Sequence, residues 1–275
     1  MRIHHLDCGP LHPFGTRPIN GTGGFLRRGH GVVHCLLVDT GAGLVLVDTG
    51  WGIGDCERPS LIVRAFMAVL GTRRDPAITA RRQIEGLGRD PGNVEHIVMT
   101  HLHLDHAGGL PDFPQAKVHT LQAEIDAAAH PASIVERWSY RPEHFAHGPD
   151  WVGYPMEGDE WFGMACPPPV EIGGVTFRLI PLVGHTRGHA MVAIKLGDDR
   201  WLLHCGDGYG YHGTIYDPPK LPPGGKIVKV LFGMIQTTRA IYVSSDRLKA
   251  FKQEVGDQVE MICSHDIVDF ERMKG

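Results

Sequence analysis

The segment His101-Leu102-His103-Leu104-Asp105-His106 places four metal-ligand residues in six positions. Imidazole nitrogen mixed with carboxylate oxygen suits a divalent metal of borderline softness, with zinc the default. Alternate residues of an extended chain project the same way, so His101 and His103 can grip one ion. The tightening chain then aims Asp105 and His106 at a second, and Ala107-Gly108-Gly109 lets the backbone turn sharply. A lone histidine among eighteen is more often a surface or hydrogen-bonded residue than a ligand. Four ligand types within one turn of chain at a strand end are not accounted for that way.

Such a cluster needs elements to hold it, and five short apolar runs end abruptly in a polar residue or glycine. Leu44 to Val47 ends at Asp48-Thr49-Gly50, and His96 to Thr100 runs into His101. Phe177 to Val183 leads to Gly184-His185, Trp201 to Cys205 to Gly206-Asp207, and Val259 to Cys263 to Ser264-His265. Each reads as a buried strand delivering a carboxylate or an imidazole at its C-terminal end, where ligand sites of layered α/β folds gather. Five deliveries predict one shared pocket. Helices are expected over Ser60 to Leu70, Thr79 to Leu87 and Leu121 to Ala129. The Gly41-Ala42-Gly43 and Gly173-Gly174 turns predict hairpins, so the sheets are expected to be mixed.

The 275 residues are 42% apolar, which supports a substantial core, and a single domain over 1–275 is expected. Lysine and arginine number 27 against 31 acidic residues, a formal charge of -4, with no basic stripe for a phosphate backbone. Nucleic acid is therefore not an expected partner. The start Met1-Arg2-Ile3-His4-His5 lacks the apolar core of a signal peptide, and no stretch of 18 apolar residues suggests a membrane span. A cytoplasmic protein acting on a small molecule is the expectation. Six scattered cysteines without a CxxC pair read as reduced core residues, and His34, His119 and His204 as structural. Residues 130–170 concentrate Trp138, Trp151 and Trp161 with Tyr140, Phe145, Tyr154 and Phe162. They are expected to form a lid with an apolar wall for substrate, a homodimer interface being the other use of such aromatics. Residues 208–235, rich in glycine and proline, are expected to be a long loop or short helices.

The order of these motifs resembles the metallo-β-lactamase superfamily, whose signature is HxHxDH followed by a separate histidine, an aspartate and a last histidine. The resemblance covers most of the chain and includes Leu46-Val47-Asp48-Thr49-Gly50, the 101–106 cluster, Gly184-His185-Thr186-Arg187-Gly188-His189, Gly206-Asp207 and Ser264-His265. It implies an α/β fold: a four-layer αββα sandwich of two mixed β-sheets flanked by helices. It also implies that His101, His103 and His185 hold one metal, that Asp105, His106 and His265 hold a second, and that Asp207 bridges them. Asp48 resembles the family's buried aspartate, which orients a ligating imidazole. His189 is left either beside the ligands or in a packing role.

Two divalent ions, zinc first with iron or manganese as substitutes, would hold a bridging water and supply hydroxide near neutral pH. Asp105 or Asp207 would handle the proton, and no G-x-S-x-G nucleophile is present. Within the family the chain is most similar to the quorum-quenching lactonase branch. Tyr209, in Gly206-Asp207-Gly208-Tyr209-Gly210-Tyr211, is then expected to hydrogen-bond the ester oxygen. The expected function is hydrolysis of a lactone or other carboxylic ester. Phosphodiester, organophosphate or β-lactam hydrolysis on the same site, or iron-dependent dioxygenation, are the alternatives.

Overall fold

The computed structural model describes residues 1–15, 24, 26–197, 199–216 and 238–274. Strands β1 (Arg2–Asp7), β2 (His34–Asp39), β3 (Leu44–Val47), β4 (Val94–Val98), β5 (Lys117–Leu121) and β6 (Asp150–Tyr154) form a six-stranded sheet in that order. The first three pair antiparallel and the last four parallel. A hairpin of β7 (Asp159–Trp161) and β8 (Met164–Cys166) follows. The second sheet runs β13-β12-β11-β10-β9, from β9 (Val170–Ile172), β10 (Val175–Pro181), β11 (Ala190–Lys195), β12 (Trp201–His204) and β13 (Val259–Ile262). Both sheets are mixed as expected, because β12 and β13 pair parallel while the others of the second sheet pair antiparallel.

Side-chain alternation sets the layers. In β3, Val45 and Val47 face the second sheet, among Phe177, Leu179, Val192, Ile194 and Ile262. Leu44 and Leu46 face the opposite way, onto a core shared with Ala80 and Ile84 of helix α3 and Ala127 of α5. The helices of this region are α1 (Ile53–Glu57), α2 (Leu61–Leu70), α3 (Ala80–Gly86), α4 (Leu104–Ala107) and α5 (Gln122–Ala129). They are followed by α6 (Ile134–Ser139), α7 (Pro142–Phe145), α8 (Thr238–Val255) and α9 (Ile267–Lys274). On the outer face of the second sheet, Leu248, Phe251 and Val255 of α8 pack on Ile180, Met191, Leu203 and Met261. Apolar residues on both strand faces thus require helices outside each sheet, and the αββα order results. No helix among the described residues is long and apolar enough to cross a membrane.

Two of the three expected helices begin on a side-chain cap, and the third starts after Leu121 without one. Ser60 accepts from the Val63 N–H and Thr79 from the Arg82 N–H, one orphan donor satisfied in each. The 130–170 segment is dispersed over several elements instead of one cover. Trp151 lies in β6 against Phe145, and Trp161 is 5% exposed against Trp201 and Phe251 on the outer face of the second sheet. Of the stretch 208–235, short 3-10 turns hold 206–208 and 212–215, and residues 217–235 lie outside the described residues.

Gly108 and Gly109 serve close approach, since neither has a positive φ. A Cβ on Gly52 would lie 2.1 Å from the Gly108 carbonyl oxygen, so the 48–52 loop can seat against the ligand cluster only without one. Gly52→Ala should therefore destabilise the fold by about 2 kcal/mol. Gly54→Ala, two residues on in α1 with open space around its Cβ, should be neutral or stabilise by roughly 0.5 kcal/mol. Urea unfolding of the two variants distinguishes them; equal effects would mean that this contact does not constrain the loop.

Candidate metal centre

All the expected ligands leave strand C-terminal ends at one edge of the sandwich. His101 follows β4, His185 follows β10, Asp207 follows β12 and His265 follows β13. Parallel pairing of β12 with β13 brings Asp207 and His265 to the same end, though almost 60 residues separate them. His103 then caps α4, its carbonyl accepting from the His106 and Ala107 N–H groups, and that short helix turns Asp105 and His106 inward.

Three groups of ligand atoms result, each within 4.8 Å: His101, His103 and His185; Asp105, His106 and His265; and His101, His106 and Asp207. His103 Nδ1 and His185 Nε2 face each other at 3.0 Å. Asp207 lies between the first two groups, with Oδ1 3.3 Å from His106 Nε2 and 3.1 Å from His265 Nε2, and Oδ2 3.1 Å from His185 Nε2. Asp105 Oδ2 is 3.6 Å from His265 Nε2.

Hydrogen bonds behind these atoms decide which nitrogen each ring presents. Asp48 is buried in the left-handed region at φ 55° and accepts from Thr100 N–H and Thr100 Oγ1–H, both at 2.8 Å, and from His106 Nδ1–H at 2.9 Å. Because the threonine's one proton goes to Asp48, His101 Nδ1–H must donate to Thr100 Oγ1, at 3.0 Å. His265 Nδ1–H donates to the Val32 carbonyl at 2.8 Å. In its neutral form each of the three rings therefore turns its lone-pair nitrogen, Nε2, inward, the form that ligates a metal.

A divalent cation fits what remains. His101 Nε2, His106 Nε2 and Asp207 Oδ1 are buried and make no hydrogen bond, an arrangement costing roughly 1–3 kcal/mol per atom unless another partner binds there. Two nitrogens each about 2.05 Å from one tetrahedral ion stand roughly 3.3 Å apart, close to the 3.0 Å between His103 Nδ1 and His185 Nε2. Burial, reinforced by the neighbouring imidazoles, pushes the pKa of His101, His103 and His185 down and keeps them neutral. Burial opposes charge on His106 and His265 too, but Asp207 and Asp105 outweigh it, raising His106 well above its usual range and His265 to about 9. The same imidazoles outweigh burial at Asp207 and hold its carboxyl well below the usual range. Without a cation, protons on these two rings balance the carboxylates.

His189 is committed elsewhere, which separates it from His185 on geometry. Its Nδ1–H donates to the Leu182 carbonyl at 3.1 Å, and its Nε2 accepts the Asp207 N–H at 3.0 Å, so it positions Asp207 and has no nitrogen left for a metal. Burial, with His185 beside it, lowers its pKa to about 3. Tyr209 departs from expectation. It is buried in the core beneath α8 and its hydroxyl donates to Asp269 at 2.8 Å, because a ring two residues past Asp207 falls on the far face of the turn. The Tyr211 ring lies 4.4 Å from that of His212, tilted by 44°, and the His212 ring is held by Asp266. His204 joins the sheets: Nδ1 accepts from Gly206 N–H and Nε2–H donates to the His34 carbonyl. His119 bonds His96 and the Tyr154 hydroxyl, away from the cluster. Thr100 was not singled out in the sequence; its only signal is its place between a strand and the first ligand.

The family model of the metallo-beta-lactamase superfamily matches residues 28–231. A Mycobacterium tuberculosis protein named probable metallo-hydrolase is 44% identical over 215 residues, 78% of this chain and 64% of that protein, so the chain spans under two thirds of this relative's length. The N-acyl homoserine lactonase AttM of Agrobacterium fabrum is 29% identical over 121 residues, 44% of this chain and 43% of that one. Among solved structures, an N-acyl homoserine lactone hydrolase with N-hexanoyl-L-homoserine bound at its catalytic metal center shares the fold. It has a TM-score of 0.68 at 18% identity, over 98% of this chain and 95% of that one. With the match running through residues 28–231 and taking in every motif from Asp48 to Asp207 in order, the chain belongs to the metallo-beta-lactamase superfamily.

Proposed function

We propose that the chain is a binuclear metal-dependent hydrolase, with zinc as its metal, acting on a lactone or other carboxylic ester. The observation that carries this reading is Asp207, whose two oxygens face separate ligand groups while buried Nε2 atoms of both groups lack partners. His101, His103 and His185 would hold one ion, and Asp105, His106 and His265 the other. When bound, such ions polarise a substrate carbonyl and lower the pKa of a water toward neutrality. Asp207 fixes the spacing of the two groups. Asp105, whose Oδ2 faces His265, would take the proton of the attacking water on its other carboxylate oxygen and return one to the leaving oxygen. The likeness to an N-acyl homoserine lactonase in sequence supports a lactone over a phosphodiester or β-lactam.

The substrate wall is assigned to α6 alone out of the expected lid. Arg187 of the His185 loop bonds Glu136 of α6 at 3.1 Å, and the Tyr140 ring just past α6 lies 5.4 Å from that of His103. That helix leaves Trp138 57% exposed, with Ile134 exposed beside it on the same face.

Three outcomes test this reading. Elemental analysis should give two zinc ions per chain, and Asp207→Ala should lower both zinc content and lactone kcat/KM, the latter by at least about 100-fold. His204→Gln should cost stability of about 1–2 kcal/mol with kcat/KM within roughly tenfold. Equal losses of activity in the two variants, or one ion at most in excess zinc, would sink the binuclear assignment. Metal uptake at pH 7 should release protons, because Asp207 and Asp105 hold the pKa of His106 well above its usual range and push that of His265 up to about 9, and each ring binds an ion only when neutral. Zinc affinity should accordingly climb between pH 7 and 9, and calorimetry in buffers of different ionisation enthalpy would read the released protons directly. Trp138→Ala should raise KM for long acyl chains by about fivefold at unchanged metal content, whereas Trp161→Ala should only destabilise. A Trp138 variant with unaltered KM for every chain length would remove α6 from the substrate wall.

A further inference from the structure

One buried carboxylate outside the ligand set has more partners than its place in a short alanine-rich helix requires. Glu124, in the first turn of α5, is fully buried and receives four hydrogen bonds. Its Oε1 accepts from Leu102 N–H at 2.8 Å and Tyr140 Oη–H at 3.2 Å. Its Oε2 accepts from Thr186 Oγ1–H at 2.6 Å and Gly188 N–H at 3.0 Å. Leu102 stands between His101 and His103, while Thr186 and Gly188 follow His185. The partners of Glu124 therefore flank all three residues of one ligand group. The other group is held by different means: His106 by Asp48 and His265 by the Val32 carbonyl.

The fit of α5 to this loop is close. A Cβ on Gly188 would fall 2.2 Å from Glu124 N, so the His185 loop lies directly on the start of the helix. Each carboxylate oxygen faces one backbone N–H, which cannot reverse its role, and one hydroxyl, which can. An amide in place of the carboxylate would set its NH2 against one of those backbone donors, whichever way it turned. Position 124 therefore requires an acceptor at both atoms.

We propose that Glu124 is the positioning residue of the His101, His103 and His185 subsite, joining two loops otherwise 82 residues apart to each other and to Tyr140. The inference rests on the metal reading of the site. It gives the 101–103 turn and the His185 loop a support that Asp105, His106 and His265 do not share, in addition to Asp48, which reaches His101 through Thr100 and His106 directly. Loss of Glu124 frees the His185 loop to move away from His101 and His103, and leaves Asp105, His106 and His265 as they are.

Zinc binding by the full chain and by Glu124→Gln, measured by chelator competition, tests this. One of two zinc equivalents should weaken by about 10- to 100-fold while the other stays within about threefold. In the cobalt-substituted protein, the exchangeable histidine N–H resonances of His106 and His265 should persist as those of the other group broaden or vanish. Unchanged affinity at both sites, or equal weakening of both, would overturn the assignment. Thr186→Val removes one hydroxyl donor and keeps the carboxylate, so it carries the test if Glu124→Gln does not fold. It should weaken the same single equivalent to a smaller degree, and no selective weakening there overturns the proposal too. A wild-type chain that takes up no divalent metal would instead overturn the metal reading of the site.

Discussion

The interaction on which the site most depends is the burial of Asp48 behind the histidine and aspartate cluster. A carboxylate cut off from water must be matched by donors, and here Thr100 and His106 supply them. That requirement fixes the tautomer of His106 directly and that of His101 through the Thr100 hydroxyl. Both rings are thereby obliged to turn a basic nitrogen toward Asp207. The left-handed backbone at Asp48 is part of the same arrangement, since it lets the Asp48 N–H reach the Val98 carbonyl at 3.1 Å while the side chain reaches Thr100. Inward lone pairs, close carboxylates and missing hydrogen-bond partners together make a cluster matched to positive charge.

Much of this was legible in the sequence because the informative segments are local. Apolar runs of four to seven residues ending in His, Asp or Gly identify strands and their outlets, and β3, β4, β10, β12 and β13 all overlap the runs that suggest them. The HxHxDH cluster needs no tertiary knowledge, as one strand end and one turn of helix present all four groups. What a sequence does not disclose is which distant groups meet. Tyr209 and Tyr211 stand two and four residues past Asp207 in the chain, and only the path of the turn sends Tyr209 into the core under α8. His189 lies four residues beyond His185 and has the same chemistry, yet its nitrogens are used by a carbonyl and an amide. Glu124 carries no local mark beyond an acidic residue near a helix start, where the helix dipole alone would favour it.

The aromatic segment shows the same limit in another form. Clustering in sequence suggested one surface, but strand alternation and the hairpin of β7 and β8 send Trp138, Trp151 and Trp161 to three places. Trp161 belongs to the core under α8, and Trp151 to the flank of the first sheet with Phe145. Tyr140 is the member of this group in contact with a ligand ring, because α6 ends just above the loop of His103.

The parallel pairing of β12 with β13 has a consequence for how the chain holds together. Asp207 and His265 leave adjacent strands, yet the chain between them spans about 60 residues, and all six cysteines are free, so no covalent tie closes that excursion. Ions shared among His101, His185, Asp207 and His265, as proposed, would join four remote points of the polypeptide at one place. They would act as a reversible cross-link, restricting the unfolded ensemble as a disulfide does in an oxidising compartment. Strand β13 and the helix after it would then be secured by the same atoms that perform the chemistry, and catalytic competence and the docking of this strand would become a single event.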